Sequence, residues 1–331
     1  MNPNPHHNNN ADTLASIFQN FIDFNLNNCE VSLFLGADLQ NNGVFTFAEV
    51  QLSNKLANQF RNFMNTFQHE KSVKFQKDNF LLQPFDFEAT GDEIDIEYES
   101  FAQAPDIEQI IASLQVKPTI FQENDAEFIH GLKFAIFCCT APSQKSIYFL
   151  QKYSSRKIMR KSLSIHRLLN NDVYDLLDTP LLQFDEVVHT VIWETHILIF
   201  DHAAYMHIFR EGPHIQSIAN QALEAIKQFD IFEQFDEFAN SCQKDSRKLT
   251  KLYIISKKNR LESISRLDLQ SIQNIIEKYQ LNICAVAYST RWRLQFQNKS
   301  IWHALKLLAD DYALSEITGN RYEIYGKRNI P

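Results

Sequence analysis

Two groups of basic residues have the types and spacing of a surface that contacts phosphate groups. The first group is Arg156, Lys157, Arg160 and Lys161, in the stretch SSRKIMRKS. The second group is Lys244, Arg247, Lys248 and Lys251, followed closely by Lys257, Lys258 and Arg260. Its first four members recur at i, i+3, i+4 and i+7, so one face of a helix would present them together. Because Lys and Arg bind the nucleic-acid backbone, both groups predict phosphate contacts, although each is also typical of a solvated face.

A run of carboxylates offers a different chemistry. In DEIDIEYES the acidic residues alternate with Ile94, Ile96 and Tyr98; they are Glu93, Asp95, Glu97 and Glu99. On a strand all four carboxylates would share one face, where a metal-dependent nuclease holds Mg²⁺. The same alternation is typical of an edge strand whose charged face prevents aggregation. Both interpretations stay open from the sequence.

Other catalytic or metal-binding patterns are missing from the sequence. Five histidines lie within residues 189–214 (His189, His196, His202, His207 and His214), but no HxH or HExxH spacing occurs, and strand-surface histidines are the expectation. There is no CxxC, P-loop, GxGxxG or GxSxG motif. We therefore predict no metal, no cofactor and no catalytic residue, and five reduced cysteines in apolar surroundings.

The charges are unevenly distributed along the chain. The 331 residues carry a formal net charge of −8, which argues against a general polyanion binder. Residues 78–116 contain ten acidic residues and no Lys or Arg, whereas residues 128–171 contain eight Lys or Arg and no acid. Since no zinc finger, RNP motif or base-reading helix is recognisable, any nucleic-acid contact should be independent of base sequence.

The elements that would position these groups alternate between helix and strand. In the N-terminal part we predict strands in EVSLFLG, SVKFQ and EIDIEYES, a helix in FAEVQLSNKLANQFRNFMNTFQHE, and a helix after Pro105. Further on, KFAIFCCT and SIYFLQKY predict a hairpin. The runs FDEVVHTVIW, THILIF and AYMHIF predict a three-stranded antiparallel meander.

The last third is mainly helical. Helices are predicted in IQSIANQALEAIKQFDIFEQFDEFA, SRKLTKLYIISKKN, DLQSIQNIIEKYQ and SIWHALKLLADDYALSE, and strands in NICAVAYS, RWRLQFQ and RYEIYGK. Gly319 should supply a positive φ, and the terminal helix and strand should close the sheet.

These elements predict an α+β fold of mixed, largely antiparallel sheets with packed helices, in two lobes. We place a disordered Asn-rich tail at residues 1–12, an N-terminal α+β region at 13–125 and a C-terminal domain at 126–331. The apolar runs are too short to span a bilayer, and the first residues do not form a signal peptide, which predicts a cytoplasmic protein.

The C-terminal part resembles the KwaB-like family of the Kiwa anti-phage defence system. The resemblance lies in the order of segments over residues 128–327 and in a final D-Y-x-x-S-x-x-T-G-x-x-Y pattern: Asp311, Tyr312, Ser315, Thr318, Gly319 and Tyr322. It implies a cytoplasmic DNA-binding effector that hinders phage DNA replication or transcription together with a KwaA-like membrane partner. It implies no catalytic residues.

The sequence thus favours a non-enzymatic, homo-oligomeric protein whose two basic groups contact DNA. Two alternatives stay open. One is a Mg²⁺-dependent nuclease that uses the carboxylates of residues 93–99. The other is an interaction protein whose basic faces meet an acidic protein or an anionic membrane.

Overall fold

The computed structural model of the chain describes residues 6–76, 82–87, 96–116, 118–122, 125–153, 158–159, 165–167, 174–176, 181–209, 212–289 and 291–324. Two compact units are present. The first comprises residues 1–85 and 91–209, and the second comprises residues 86–90 and 210–331. The boundary that the sequence suggested, between residues 125 and 126, falls inside the first unit, because strands from both sides of it pair in one sheet.

The first unit is built on a nine-stranded sheet. Its helices are α1 (His6–Asp23), α2 (Asn54–Phe75), α3 (Pro105–Gln115), α4 (Ala126–Gly131) and α5 (His202–Phe209). Its strands are β1 (Glu30–Ala37), β2 (Thr46–Val50), β3 (Leu82–Pro84), β4 (Ile96–Ser100), β5 (Thr119–Ile120), β6 (Leu132–Thr140), β7 (Ser146–Lys152), β8 (Ile158–Met159), β9 (Ile165–Arg167), β10 (Tyr174–Leu176), β11 (Leu181–Leu182), β12 (Thr190–Trp193) and β13 (His196–Ile199).

The strand order in the large sheet is β3-β4-β13-β12-β7-β6-β1-β2-β5. All neighbours are antiparallel except the outermost pairs, β3 with β4 and β2 with β5. Two further pairs, β8 with β11 and β9 with β10, form small separate sheets. The predicted hairpin is confirmed, since β6 pairs with β7 from Phe134–Lys152 to Thr140–Ser146.

Apolar side chains cover both faces of this sheet. One face packs against α1 and α2 through residues such as Phe18 and Met64. The opposite face packs against α3 and α5 through residues such as Ile107 and Ile208. Strand β6 contributes alternately to the two cores, with Phe137 on one side and Ile136 on the other, as the two-residue period of a fully buried strand requires.

Several elements of the first unit differ from prediction. Residues 46–50 form β2, so α2 begins only at Asn54, where the Ser53 side chain accepts a hydrogen bond from the Leu56 amide. The stretch SVKFQ is not a strand, because α2 continues to Phe75. Helix α1 begins at His6 and so includes part of the stretch for which the composition predicted disorder; its C-terminal half is anchored in the core.

The predicted three-stranded meander contains only two strands. β12 and β13 pair as expected, but AYMHIF lies in helix α5. The carboxylate of Asp201 accepts a hydrogen bond from the Ala204 amide at 2.8 Å, and the Asp201 carbonyl accepts one from Tyr205, so this aspartate caps the first turn. The helix then buries Tyr205 and Ile208 against the sheet.

The second unit is mainly helical. Its helices are α6 (Pro213–Gln228), α7 (Phe235–Gln243), α8 (Ser246–Lys257), α9 (Arg260–Ser265), α10 (Leu269–Lys278) and α11 (Ile301–Leu308). Its strands are β14 (Cys284–Tyr288), β15 (Arg291–Gln295), β16 (Tyr312–Leu314) and β17 (Arg321–Glu323), which form two separate hairpins. The core includes Phe238, Leu252, Ile272 and Leu305, each fully or almost fully buried.

The end of the chain also differs from prediction. Helix α11 stops at Leu308, and Asp310 adopts a left-handed φ of 55° before β16 begins. Strands β16 and β17 pair only with each other among the described residues, so they do not close the large sheet. Gly319 has the predicted positive φ, 68°, in the turn between them. The predicted α+β class with largely antiparallel sheets is confirmed.

Candidate nucleic-acid interface

Helix α8 carries most of the second basic group. Its N-cap is Asp245, whose carboxylate accepts a hydrogen bond from the Arg247 amide at 3.0 Å. Burial acts to raise the pKa of Asp245, but the Arg247 hydrogen bonds and the charges of Arg247 and Lys248 outweigh it, so this pKa lies below its ordinary value. Lys244 lies before the cap, at the end of α7, and therefore does not share the face of α8.

Lys251 is held in a nearly buried ion pair. Its Nζ atom lies 2.6 Å from Oδ2 of Asp311, and the two side chains are only 15% and 5% exposed. Asp311 is the first residue of the D-Y-x-x-S-x-x-T-G-x-x-Y pattern. Lys251 therefore has little surface available to a phosphate group.

Three more basic residues are engaged within the second unit. Lys248 donates to the carbonyl and hydroxyl oxygens of Ser241 at 3.0 and 3.3 Å. Lys258 pairs with Asp86 at 2.7 Å. Arg260 donates to the carbonyl oxygen of Ala309. These side chains position α8 and α9 against neighbouring segments, so only part of their charge is available to a ligand.

Three members of the group are exposed. They are Lys244, Arg247 and Lys257. The Arg247 side chain is 69% exposed, pairs loosely with Asp245 at 3.3 Å and lies 6.0 Å from the ring centroid of Trp302. The ammonium group of Lys257 lies 5.6 Å from the ring of Tyr253. These three residues are the part of the second group that can reach phosphate groups directly.

The first basic group cannot be placed in the same way. Arg156, Lys157, Arg160 and Lys161 lie outside the described residues. The assignment of either group to DNA contact remains a prediction.

Two of the four carboxylates proposed for a nuclease, Glu97 and Glu99, face the interior of the first unit. Glu97 and Glu99 are 3% and 6% exposed, and β4 is not an edge strand, because β3 pairs beyond it. Glu97 accepts a hydrogen bond from His202 at 2.8 Å, and Glu99 accepts one from the Tyr205 hydroxyl. Both expectations, a metal-binding face and a solvated edge, therefore fail for these two residues. Glu93 and Asp95 lie outside the described residues.

No group of three or more His, Cys, Asp or Glu side chains suited to a metal ion occurs among the residues that the structure describes. The histidines predicted to lie on strand surfaces do not all lie on strands. His202 and His207 belong to α5, and His196 shares a 2.9 Å hydrogen bond with Tyr98. Burial, partly offset by Glu194, lowers the pKa of His196.

The residues of the C-terminal pattern form a structural hairpin. Tyr312 stacks on Tyr279 with ring centroids 5.1 Å apart. The Ser315 hydroxyl accepts a hydrogen bond from the Thr318 amide at 3.1 Å, and the Ser315 carbonyl accepts one from Gly319. The sequence did not reveal that Asp311 is the partner of Lys251; the only signal was its place in the pattern.

A comparison with known protein families identifies the family of the chain. The family described as Kiwa protein KwaB-like matches residues 133–318, more than half of the chain. The chain belongs to the KwaB-like family. The match runs from β6 to the turn of the C-terminal hairpin and so includes α8 and Asp311.

Membership of the KwaB-like family makes the chain a component of Kiwa anti-phage defence and supports a partner within that system. Searches of curated proteins and of solved structures gave no significant match. None of the helices described for this KwaB-like chain has both the length and the apolar character of a membrane span.

Proposed function

We propose that this KwaB-like chain is a cytoplasmic effector that binds the sugar-phosphate backbone of DNA, without sequence specificity. Bound DNA would then be a poor template, which hinders phage replication or transcription. One observation carries the proposal: the acidic chain divides into two units of opposite net charge. The second unit has 18 Lys and Arg against 16 Asp and Glu, net +2, whereas the first has 14 against 24, net −10.

Charge of this kind restricts where DNA binds. Phosphate groups are repelled by the acidic first unit as a whole and attracted by local basic surface. Lys244, Arg247 and Lys257 supply the direct contacts of the second unit. Arg247 is suited to this role because its planar guanidinium group forms paired hydrogen bonds with phosphate oxygens.

The engaged basic residues have a supporting role in this proposal. Lys248, Lys251, Lys258 and Arg260 fix α8 and α9 through contacts within the second unit. They add to the local positive potential but make few direct contacts. The residues of the first basic group, 156–161, contribute further phosphate contacts.

The rest of the proposal concerns assembly. The chain forms a homo-oligomer and works with a KwaA-like membrane protein, which brings it to the inner face of the membrane. Oligomerisation repeats the basic surface, and several weak backbone contacts then act together on one DNA molecule.

The experiment compares two triple charge reversals. Lys244→Glu, Arg247→Glu and Lys257→Glu should weaken binding of a labelled random-sequence duplex by about tenfold or more, as measured by fluorescence anisotropy. Lys55→Glu, Lys74→Glu and Lys145→Glu change the net charge equally at exposed positions of the first unit. Equal affinities of the two variants would remove the second unit from the interface. Binding to anionic vesicles and not to DNA would favour the interaction-protein alternative.

A further inference from the structure

An aromatic groove of about 500 Å³ runs along α2 in the first unit, between this helix and the loop before β12. Its floor consists of Phe60, Phe63, Phe67 and Phe184. The rings of Phe60 and Phe184 lie 4.8 and 5.9 Å from that of Phe137, which is fully buried. Because the core holds these rings in place, a ligand in the groove would not have to order them first.

The rim of the groove is acidic. Glu70, Asp185 and Glu186 line it, together with the polar residues Gln59, Asn62 and Thr66. No Lys or Arg occurs among the described residues that line it. The unit that contains the groove carries a net charge of −10. The groove therefore combines an apolar floor with an acidic rim, while the ammonium group of Lys71 lies 5.2 Å from the centroid of the Phe67 ring.

Exposed apolar residues extend the floor. Leu56 lines the groove and is 36% exposed, and Val187, next to Glu186 in the loop, is 45% exposed. Apolar side chains that border a groove in this way are characteristic of interaction sites. The DNA-binding surface does not use them, since DNA would be repelled by the acidic rim.

We propose that this groove binds a short, basic amphipathic segment of a partner protein. Such a segment, folded as a helix, would lay apolar side chains on the phenylalanine floor and place Lys or Arg beside Glu70, Asp185 and Glu186. Pockets of this kind accept a small number of buried anchor side chains, and a few such residues supply most of the affinity in protein interfaces. The inference does not depend on DNA binding, because none of the described residues that line the groove belongs to either basic group.

The test uses a defined peptide with this chemistry. A fluorescein-labelled Leu-Lys peptide, LKKLLKLLKKLLKL, is titrated with the full chain and anisotropy is measured. Leu56→Asp should weaken binding by about tenfold, because it places a charge on the apolar surface. Glu70→Lys with Glu186→Lys should weaken it similarly through the rim. Glu30→Lys with Glu224→Lys is the charge-matched control at exposed positions, and should leave affinity within about twofold.

Three results would overturn the proposal. The first is equal weakening by the rim pair and the control pair. The second is equal binding of the acidic peptide LEELLELLEELLEL. The third is a loss of self-association caused by Leu56→Asp in light scattering, which would make a second copy of the chain the occupant. The same groove variants should keep their affinity for DNA, so failure here is distinguishable from failure of the DNA-binding function.

Discussion

The Lys251–Asp311 ion pair places two charges in a nearly dry environment between α8 and the residue before β16. At 2.6 Å, with side chains 15% and 5% exposed, the two groups have exchanged most of their water for each other. Removing one partner takes this ion pair away from a charge that is nearly buried, which costs more than the pair contributes on its own. The pair therefore fixes the register of the C-terminal hairpin on α8.

Lys251→Met should lower the free energy of unfolding by about 3 kcal/mol, because it removes the Lys251 ion pair from the nearly buried Asp311 carboxylate. The change in the free energy of unfolding is measured by urea denaturation monitored by circular dichroism. The double variant Lys251→Met with Asp311→Leu should regain most of the loss, since both charges are removed together.

The control for this prediction is Glu262→Gln. It breaks the exposed Arg266–Glu262 pair, whose side chains are 74% and 63% exposed, and should cost less than about 1 kcal/mol. An unchanged stability of Lys251→Met combined with a loss of DNA affinity would instead make Lys251 a direct phosphate contact.

Among the cysteines, Cys284 alone is exposed, contrary to the expectation of five buried thiols. Burial raises the pKa of Cys29, Cys138 and Cys139, and raises the pKa of Cys242 to about 12. The native chain should therefore react rapidly with one equivalent of a disulfide reagent such as DTNB at neutral pH. Cys284→Ser should abolish this fast phase; two or more fast equivalents in the native chain would contradict the burial of the other thiols.

Among the secondary-structure elements, helix α5 supplies the hydrogen-bond donors for the buried carboxylates of β4. Its residues His202 and Tyr205 donate hydrogen bonds to Glu97 and Glu99, respectively. The ring centroid of Phe85 lies 5.3 Å from that of His202 and 5.0 Å from that of Tyr205. A buried carboxylate needs such donors, because without them its desolvation is uncompensated. The hydrogen bonds from α5 thus allow Glu97 and Glu99 of β4 to lie buried in the first unit.

Tyr205→Phe should lower the free energy of unfolding by about 1–3 kcal/mol, because it removes a donor from the buried Glu99 carboxylate. Thermal or urea unfolding measures the loss. Ala203→Gln, at an exposed position of the same helix, is the control and should change stability by less than about 0.5 kcal/mol. Unchanged stability of Tyr205→Phe together with lost DNA cleavage would return Glu99 to a catalytic role.

The elements with clear periodicity could be predicted from the sequence. Helices α8 and α10 and the β6–β7 hairpin span complete apolar patterns bounded by caps or turns. Short apolar runs are ambiguous: AYMHIF has the composition of a strand, but Asp201 caps its first turn and it forms a helix. The pairing of β1 with β6 joins residues about a hundred positions apart, and local patterns carry no information about it.

The candidate site was predicted less completely for a related reason. Helical spacing predicts that Arg247, Lys248 and Lys251 share one face of the helix. It does not predict which other segment of the chain packs against that face. The structure places Asp311 against Lys251 and Ser241 against Lys248, which leaves Arg247 as the most exposed of the three. A charge reversal of all three residues would therefore combine lost stability with any loss of phosphate contacts.

At the scale of the whole molecule, the two units have different electrostatic roles. The net charge of −8 is the sum of a formal net charge of −10 on the first unit and +2 on the second. Under the proposed function, this division would limit non-specific attraction of DNA to the surface as a whole and leave a restricted basic region for it. The acidic groove of the first unit and the basic α8 of the second should accordingly bind ligands of opposite charge.

The most direct test of the account is fluorescence anisotropy of the full chain with a labelled random-sequence duplex, titrated across salt, with a parallel incubation in Mg²⁺ analysed on a gel. The account predicts salt-sensitive binding of DNA that stays intact. It also predicts a salt slope that falls by about one for each of Lys244, Arg247 and Lys257 replaced by Gln. The absence of binding at low salt, or cleavage of the duplex, would contradict a DNA-binding effector that acts without chemistry.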